Sequence, residues 1–124
     1  MNLLTWLLLC AAFLPLISAV AAKAGGQRFN NDAPRTWLAG QEGWRARANA
    51  AQQNAFEALP FFFAAVLFAL HRGVSPDSLT GLMGFWLLAR LIYLGCYIAD
   101  KGALRSLVWT VALALNVTIL FRGL

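Results

Sequence analysis

The sequence predicts an all-α fold: a single domain, residues 1–124, in which four transmembrane helices form a bundle. Of the 124 residues, 60% are apolar and 12% are charged, whereas a soluble domain carries about 25% charged residues. Four apolar runs, each long enough to cross about 30 Å of hydrocarbon, are separated by segments with turn residues. The chain is therefore expected to be an integral, multi-pass membrane protein. Its excess positive charge is expected to reflect membrane topology, with no nucleic-acid partner.

The first apolar run, Leu3–Ala22, is predicted to be a transmembrane helix that ends at Lys23. The alternative is a signal peptide, because Ala19-Val20-Ala21 resembles a cleavage site. Against that alternative, no basic residue precedes the apolar run, which is also long for the apolar region of a signal peptide. We therefore interpret this run as the first membrane span.

A long polar segment separates the first helix from the second. Ala24–Gly43 is predicted to be a loop because Asn30–Pro34 has the composition of a turn. The second helix is predicted to begin at Glu42 or Gly43 and to end near Leu70. At 1.5 Å per residue it is about 42 Å long, so its first turns should project from the membrane.

Two short connections define the remaining helices. His71–Ser78 is predicted to be a connection, in which Ser75 or Asp77 caps the next helix. The third helix is predicted over Ser78–Ala99, and an Asp-Lys-Gly turn follows it. The fourth helix is predicted over Ala103–Phe121.

Basic residues are concentrated on one side of this four-helix topology. The opposite side carries only Arg72, Arg122 and the amino terminus. Cytoplasmic segments of membrane proteins are enriched in lysine and arginine. The basic side is therefore expected to be cytoplasmic, with both termini outside. Its basic residues are Lys23, Arg28, Arg35, Arg45, Arg47, Lys101 and Arg105.

Polar side chains on the second and third helices are expected to meet inside the membrane. Arg47, Asn54 and Glu57 fall within roughly 80° of one another around the second helix. Glu57 and Arg90 are predicted to lie at the same depth, within roughly 2 Å, and hence to form an ion pair. An ionisable group inside a membrane helix costs roughly 2.5–3.5 kcal/mol and is usually paired and functional.

Further polar groups are expected to surround this ion pair. Tyr93 and Tyr97 share a face of the third helix with Arg90. Arg105 and Lys23 lie near the cytoplasmic ends of their helices. These groups predict a pocket in the cytoplasmic half with excess positive charge, which favours an anionic ligand. The alternative is that the ion pair only fixes the register of the two helices.

Several conspicuous residues have structural explanations. Cys10 and Cys96 lie within apolar runs and are expected to be small buried hydrophobic residues, without metal-ligand spacing. His71 is expected to lie at the membrane interface. Asn116, deep in the fourth helix, is expected to form an interhelical hydrogen bond.

Three of the predicted helices carry motif residues. They are Arg47, Asn54, Glu57 and Pro60 followed by three phenylalanines, then Arg90, Tyr93 and Tyr97, then Arg105, Ser106 and Trp109. These motifs resemble those of the MAPEG family, membrane-associated proteins in eicosanoid and glutathione metabolism. In this order they resemble the motifs of the second, third and fourth helices of the family. The chain is similar to a short member of bacterial type.

The resemblance implies a left-handed four-helix bundle that assembles as a homotrimer in the bacterial inner membrane. It also implies glutathione as a cosubstrate, bound between subunits and facing the cytoplasm. Arg105 would help to stabilise the thiolate, with Ser106 as a second catalytic group. The residues implied to bind glutathione are Lys23, Arg47, Asn54, Glu57, Arg90, Tyr93, Tyr97 and Trp109. Ala50 and Gln53 stand where relatives often carry arginine or histidine.

Three functions are consistent with these features. The first is a glutathione transferase or peroxidase that acts on lipophilic electrophiles arriving through the bilayer. The second is a non-catalytic membrane protein that binds a lipid or another lipophilic small molecule. The third is a small four-helix drug–proton exporter, but such exporters place an essential glutamate in the first helix, and Leu3–Ala22 contains no carboxylate.

Overall fold

The computed structural model describes residues 2–25 and 28–124, and within them the chain forms five helices and no strand. The helices are α1 (Leu3–Lys23), α2 (Pro34–Ala39), α3 (Gly43–His71), α4 (Pro76–Ile98) and α5 (Gly102–Arg122). Within the described residues, all but α2 are long and apolar enough to cross a membrane. The predicted four-helix membrane bundle is confirmed, and each long helix ends within two residues of its predicted bounds.

The predicted loop between the first two membrane helices is wrong in one respect, because it contains α2. Pro34 occupies the first turn of this helix, where its fixed φ angle is favourable and its missing N–H is not needed. Leu38 is buried and packs with Ala22 of α1 and Ala48 of α3. The short helix therefore covers the place where α1 ends and α3 begins. Residues 26 and 27 of the predicted loop lie outside the described residues.

The predicted turn between α1 and α2 is confirmed, whereas the predicted side-chain cap of α4 is not formed. The backbone N–H of Asp32 donates to Asn30 Oδ1 at 3.0 Å, as expected for a turn built on an asparagine. Ser75 occupies the N-cap position of α4, but its side chain forms no capping hydrogen bond within the described chain. Pro76 begins the helix instead, and Asp77 lies in its first turn without acting as the cap.

Helices α3 and α4 lie at the centre of the bundle. α1 packs against both of them, and α5 also packs against both. Phe62 of α3 stacks on Trp86 of α4, with ring centroids 3.9 Å apart and planes inclined by 11°. Neither side chain is more than 1% exposed. Lipid is as apolar as a protein interior, so helix association in a membrane depends on such packing contacts.

Small residues line the contact between α1 and α3. Ala48, Ala51 and Ala55 follow a spacing of three and four residues, which places them on one face of α3, and all three are buried. α1 contributes Ser18 and Ala22, which are also buried. Small side chains let two helices approach closely within a membrane. This packing leaves Asn54 and Glu57 of α3 to face a cavity that α4 and α5 also line.

Large apolar side chains cover the outer surface of the bundle. Val20 is 68% exposed, Phe85 64%, and Leu107 and Phe121 are each 60% exposed. A monomeric soluble protein rarely exposes so much contiguous apolar surface. These side chains come from three of the four long helices. The exposed surface therefore suits a lipid environment or contact with another membrane protein chain.

Candidate functional site

Two adjoining cavities lie between α3, α4 and α5. The cavity nearer the α4–α5 turn, called here the turn-side cavity, has a volume of about 420 Å³. Its polar lining consists of Asn54, Tyr93, Tyr97, Arg105, Ser106 and Thr110. The second, called the deep cavity, has a volume of about 200 Å³. Its polar and aromatic lining includes Asn54, Glu57, Phe61, Trp86, Arg90, Trp109 and Asn116. The two cavities share Asn54 and Trp109.

Arg90 is held inside the bundle by an amide and an aromatic ring. The residue is only 5% exposed. Its Nη2 donates to Asn54 Oδ1 at 2.6 Å, and its guanidinium lies 4.3 Å from the centroid of the Tyr93 ring. Arg90 Nε is buried and has no hydrogen-bond partner among the described residues. A cation that is buried with one of its donors unsatisfied is costly unless another group approaches it.

The predicted Glu57–Arg90 ion pair is wrong. Within the described chain Arg90 bonds to Asn54, and Glu57 is exposed at the deep cavity. The prediction compared only the depths of Glu57 and Arg90, which follow from the rise per residue along each helix axis. Asn54 and Glu57 are three residues apart, so they point about 60° apart around α3. That rotation turns Asn54 toward α4 and leaves the carboxylate at the surface of the cavity.

Arg105 and Ser106 enter the turn-side cavity from the first turns of α5. The Arg105 guanidinium lies 4.5 Å from the centroid of the Tyr97 ring. Tyr97 in turn meets Tyr93 edge-on, with centroids 5.7 Å apart and planes inclined by 75°. Arg90, Tyr93, Tyr97 and Arg105 thus form a continuous series of cation–ring and ring–ring contacts. The series connects the two cavities along one face of α4.

Two of the predicted site residues line neither cavity in the single chain. Arg47 donates from Nε and Nη2 to the carbonyl oxygen of Ile98, at 3.1 and 2.9 Å. It thereby satisfies a carbonyl group at the end of α4 that no helical N–H can reach. The Lys23 ammonium lies 5.0 Å from the centroid of the Phe29 ring, beside the loop after α1. Contacts of these two residues with glutathione stay predictions.

Asn116 has a different environment from the one expected. The residue is 5% exposed and lines the deep cavity. Its Oδ1 is buried without a hydrogen-bond partner in the part of the chain that the structure describes, so the expected interhelical hydrogen bond is not formed. The sequence did show a lone amide deep in an apolar helix. The sequence could not show that this amide lines a cavity together with Trp86, because the cavity depends on how α4 packs against α5.

The two cavities differ in the chemistry that they offer. The turn-side cavity presents one guanidinium, four hydroxyl groups from tyrosine, serine and threonine, and the positive end of the α5 dipole. Where water is excluded, the attraction of these groups for a negative charge becomes stronger. The deep cavity has aromatic walls, with the opposite charges of Arg90 and Glu57 in its lining. An anionic group therefore suits the first cavity, and an uncharged ring suits the second.

A comparison with known protein families gives a match that includes all the helices and both cavities. A family model described as the MAPEG family matches residues 3–124, which include every residue of both cavities. No curated protein and no solved structure shows significant similarity to the chain. Because one family model spans all four membrane helices and the residues that line their cavities, the chain belongs to the MAPEG family.

Proposed function

We propose that the chain is a glutathione transferase or peroxidase that acts on lipophilic electrophiles, with the thiol bound at the turn-side cavity. The observation that carries the proposal is the convergence of Arg105, Ser106, Tyr97, Tyr93 and Asn54 on that one cavity. Its volume of about 420 Å³ lies within the range of about 300–1,000 Å³ that is usual for small-molecule sites. The electrophile would arrive through the bilayer.

The residues of the turn-side cavity suit the thiol end of glutathione better than its two carboxylates. Of the described residues that line the cavity, only Arg105 is cationic. Ala50 and Gln53 supply no further charge on α3. The proposal therefore includes a homotrimer, in which basic groups of a second copy complete the binding of the carboxylates. The resemblance to the MAPEG family, which implies a homotrimer, supports this part of the proposal.

Arg105 is the proposed activating residue. Glutathione supplies the nucleophilic sulfur, and a thiol with a pKa of about 8.5 is only about 3% thiolate at pH 7. Lowering this pKa by two units raises the thiolate fraction about 25-fold, to about three quarters, and requires about 2.7 kcal/mol. A guanidinium in a partly dry cavity, the start of α5 and the Ser106 hydroxyl together can supply this stabilisation.

An ultraviolet titration of the bound thiolate tests this role. We expect the parent protein to lower the thiol pKa of glutathione by about two units and Arg105→Leu to lose most of that shift. Lys101→Leu is the matched control, because Lys101 is an exposed cation at the N-cap of the same helix that does not line the cavity. Equal thiol pKa values in the parent and in Arg105→Leu, with glutathione bound to both, would exclude Arg105 as the activating group.

A second function, the non-catalytic binding of a lipid or small molecule, is favoured by one observation. Arg105 already contacts the Tyr97 ring, and the described residues of the cavity lining include no other cation for an anionic tripeptide. A thiol-dependent turnover assay on the purified protein separates the two functions. Failure of glutathione to bind either the parent or Arg105→Leu would favour the non-catalytic function.

The proposed location is the bacterial inner membrane, with both termini outside and the turn-side cavity facing the cytoplasm. The basic residues near the ends of α1 and α4 support this orientation. Four apolar helices that are long enough to span a membrane support multi-pass insertion. Membrane lipid is therefore the proposed surrounding partner of the exposed apolar surface.

A further inference from the structure

We propose that Arg35 of a second copy of the chain binds a carboxylate of the glutathione whose thiol lies at the turn-side cavity. Arg35 belongs to α2 and is not among the residues to which the family resemblance gives a role. The inference rests on the proposed function, because it names a group that completes the same site from the neighbouring chain. It is supported by a polar groove that contains Arg35, by the contacts of the other cations nearby and by the depth of the groove in the bundle.

A polar groove lies between α2 and the outer face of α3. This α2–α3 groove has a volume of about 350 Å³. Arg35 is exposed in its lining, and Phe56, which is 52% exposed, forms part of its apolar wall. Three amide side chains complete its polar lining: Asn49, Gln52 and Gln53. A guanidinium beside amide groups suits a carboxylate, because all of these groups can donate hydrogen bonds to its oxygens.

Three other cations near the start of α3 already have contacts within the chain. Arg45 and Arg47 each donate to a backbone carbonyl oxygen at the end of a helix. The Lys23 ammonium lies 5.0 Å from the centroid of the Phe29 ring. A ligand would have to compete with these contacts. Arg35 instead lines a groove whose other described lining residues are uncharged, so an anion there meets a cation without a competing carboxylate.

The α2–α3 groove and the turn-side cavity lie on different faces of α3. Gln53 lines the groove and Asn54 lines the cavity, and successive residues of a helix point about 100° apart. The two sets of described lining residues have no member in common. A single chain therefore presents Arg35 and Arg105 in different directions, and a second copy is needed to bring both to one ligand.

The groove and the turn-side cavity lie at the same level of the bundle. Gln53 and Asn54 differ by only about 1.5 Å along the axis of α3. Copies of one chain share one orientation in a membrane, so a ring of copies around an axis normal to the membrane keeps every residue at its depth. In such a ring each contact joins two different faces of the chain. The α2–α3 groove of one copy can therefore face the turn-side cavity of the next copy at equal depth.

Glutathione and its diethyl ester test the recognition of the carboxylate, because the ester keeps the thiol and masks both carboxylates. In equilibrium dialysis of the purified protein in detergent, we expect Arg35→Leu to weaken the binding of glutathione about tenfold, through the loss of a hydrogen bond to a charged group. Binding of the ester should be unchanged, which also shows that the variant is folded. Equal losses for the two ligands would make Arg35 a structural residue and overturn the inference, as would unchanged binding of glutathione.

Arg28→Leu is the matched control for Arg35→Leu. Arg28 is an exposed cation of the same connection between α1 and α3 and is not among the residues that line the α2–α3 groove. We expect this variant to bind both ligands as the parent protein does. A loss of glutathione binding as large as that of Arg35→Leu would mean that the net charge of the connection, not a contact of Arg35, sets the affinity, and would refute the inference.

The thiolate titration separates this inference from the proposed function. Arg35→Leu saturated with glutathione is expected to have the same thiol pKa as the parent, because Arg35 holds a carboxylate and not the sulfur. A parent protein that binds glutathione without lowering its thiol pKa would refute thiol activation, whereas a loss of affinity in Arg35→Leu for glutathione alone would still support the role of Arg35. A parent protein that binds no glutathione would overturn both.

Mixed assemblies test whether Arg35 acts on the neighbouring chain. At a low concentration of glutathione we expect no thiolate signal from Arg35→Leu, which binds weakly, or from Arg105→Leu, which lacks the activating group. Co-expression of the two variants with different affinity tags allows mixed assemblies to be isolated. In a ring of three, one site of each mixed trimer combines an intact Arg105 with an intact Arg35, so about one third of the parent signal should return. Mixed assemblies without a thiolate signal, measured beside a parent protein that shows one, would refute the inference.

Discussion

Replacing Asn54 by leucine tests whether the Asn54–Arg90 hydrogen bond, not an ion pair, stabilises the centre of the bundle. The change removes the acceptor at 2.6 Å from Arg90 Nη2. Arg90 is only 5% exposed, and its Nε already lacks a partner in the described chain. Of its hydrogen-bond and ring contacts with the described residues, the guanidinium would then retain only the Tyr93 ring, 4.3 Å from its carbon. The consequence is a buried cation without a hydrogen-bonded acceptor.

The magnitude follows from the type of interaction that is lost. A hydrogen bond to a charged group contributes about 1.5–3 kcal/mol, and leaving the buried charge unsatisfied adds to that loss. We therefore expect Asn54→Leu to lower the free energy of unfolding by about 2–3 kcal/mol. Arg90→Leu should cost less, because Asn54 is only half-buried and its oxygen can bind water. The double variant should therefore be more stable than Asn54→Leu alone.

Denaturant titration of the purified protein in mixed micelles measures these free energies, with helical circular dichroism as the signal. Glu57→Gln is the matched control, because it neutralises the neighbouring exposed carboxylate and should change stability by no more than about 0.5 kcal/mol. If Glu57→Gln is as destabilising as Asn54→Leu, Glu57 is the true partner of Arg90. Additive losses in the Asn54–Arg90 double-mutant cycle would also refute the reasoning.

Two further predictions concern topology and close packing. Cysteines introduced at Asn31 and appended after Leu124 are expected to react with impermeant reagents from opposite sides of the membrane; labelling of both from one side would contradict the orientation derived from the basic residues. Gly123→Ala is expected to destabilise the protein by about 1–3 kcal/mol, because its Cβ would come within 2.8 Å of the Phe68 ring. In a thermal unfolding assay of both variants, Gly84→Ala should be neutral or stabilising, since apart from its chain neighbours and the backbone of its own helix no described atom lies within 4 Å of the Cβ that it would add. Equal changes in stability for Gly123→Ala and Gly84→Ala would mean that the end of α5 does not pack against Phe68.

Arg47 and Arg105 show that a sequence motif does not by itself determine where its residues lie in the folded chain. Both arginines belong to the sequence pattern that resembles the family. Arg105 lines the turn-side cavity, as expected. Arg47 instead binds the carbonyl oxygen at the end of α4. A motif specifies which residues occur together, but the end of a neighbouring helix competes for the same guanidinium, and only the folded chain shows that competition.

The sequence by itself determined the number, the type and nearly the ends of the membrane helices. In a bilayer every backbone N–H and C=O must be satisfied internally, so an apolar run of about 20 residues has little alternative to a helix. The depth of each polar residue then follows from the rise per residue. The same argument predicts that Asn54, Arg90 and Tyr97 lie in one half of the bundle; in the structure Asn54 lines both cavities, Arg90 the deep cavity and Tyr97 the turn-side cavity.

Only the tertiary structure decided which of these polar groups meet. Rotation about a helix axis is set by packing against the neighbouring helices, here by the Phe62–Trp86 stack and the small residues between α1 and α3. Because of that rotation, Arg90 forms its hydrogen bond with Asn54 and not with Glu57, and Asn116 lines a cavity. Sequence spacing specifies angles within one helix, whereas the angle between two helices depends on contacts that are distant in the chain.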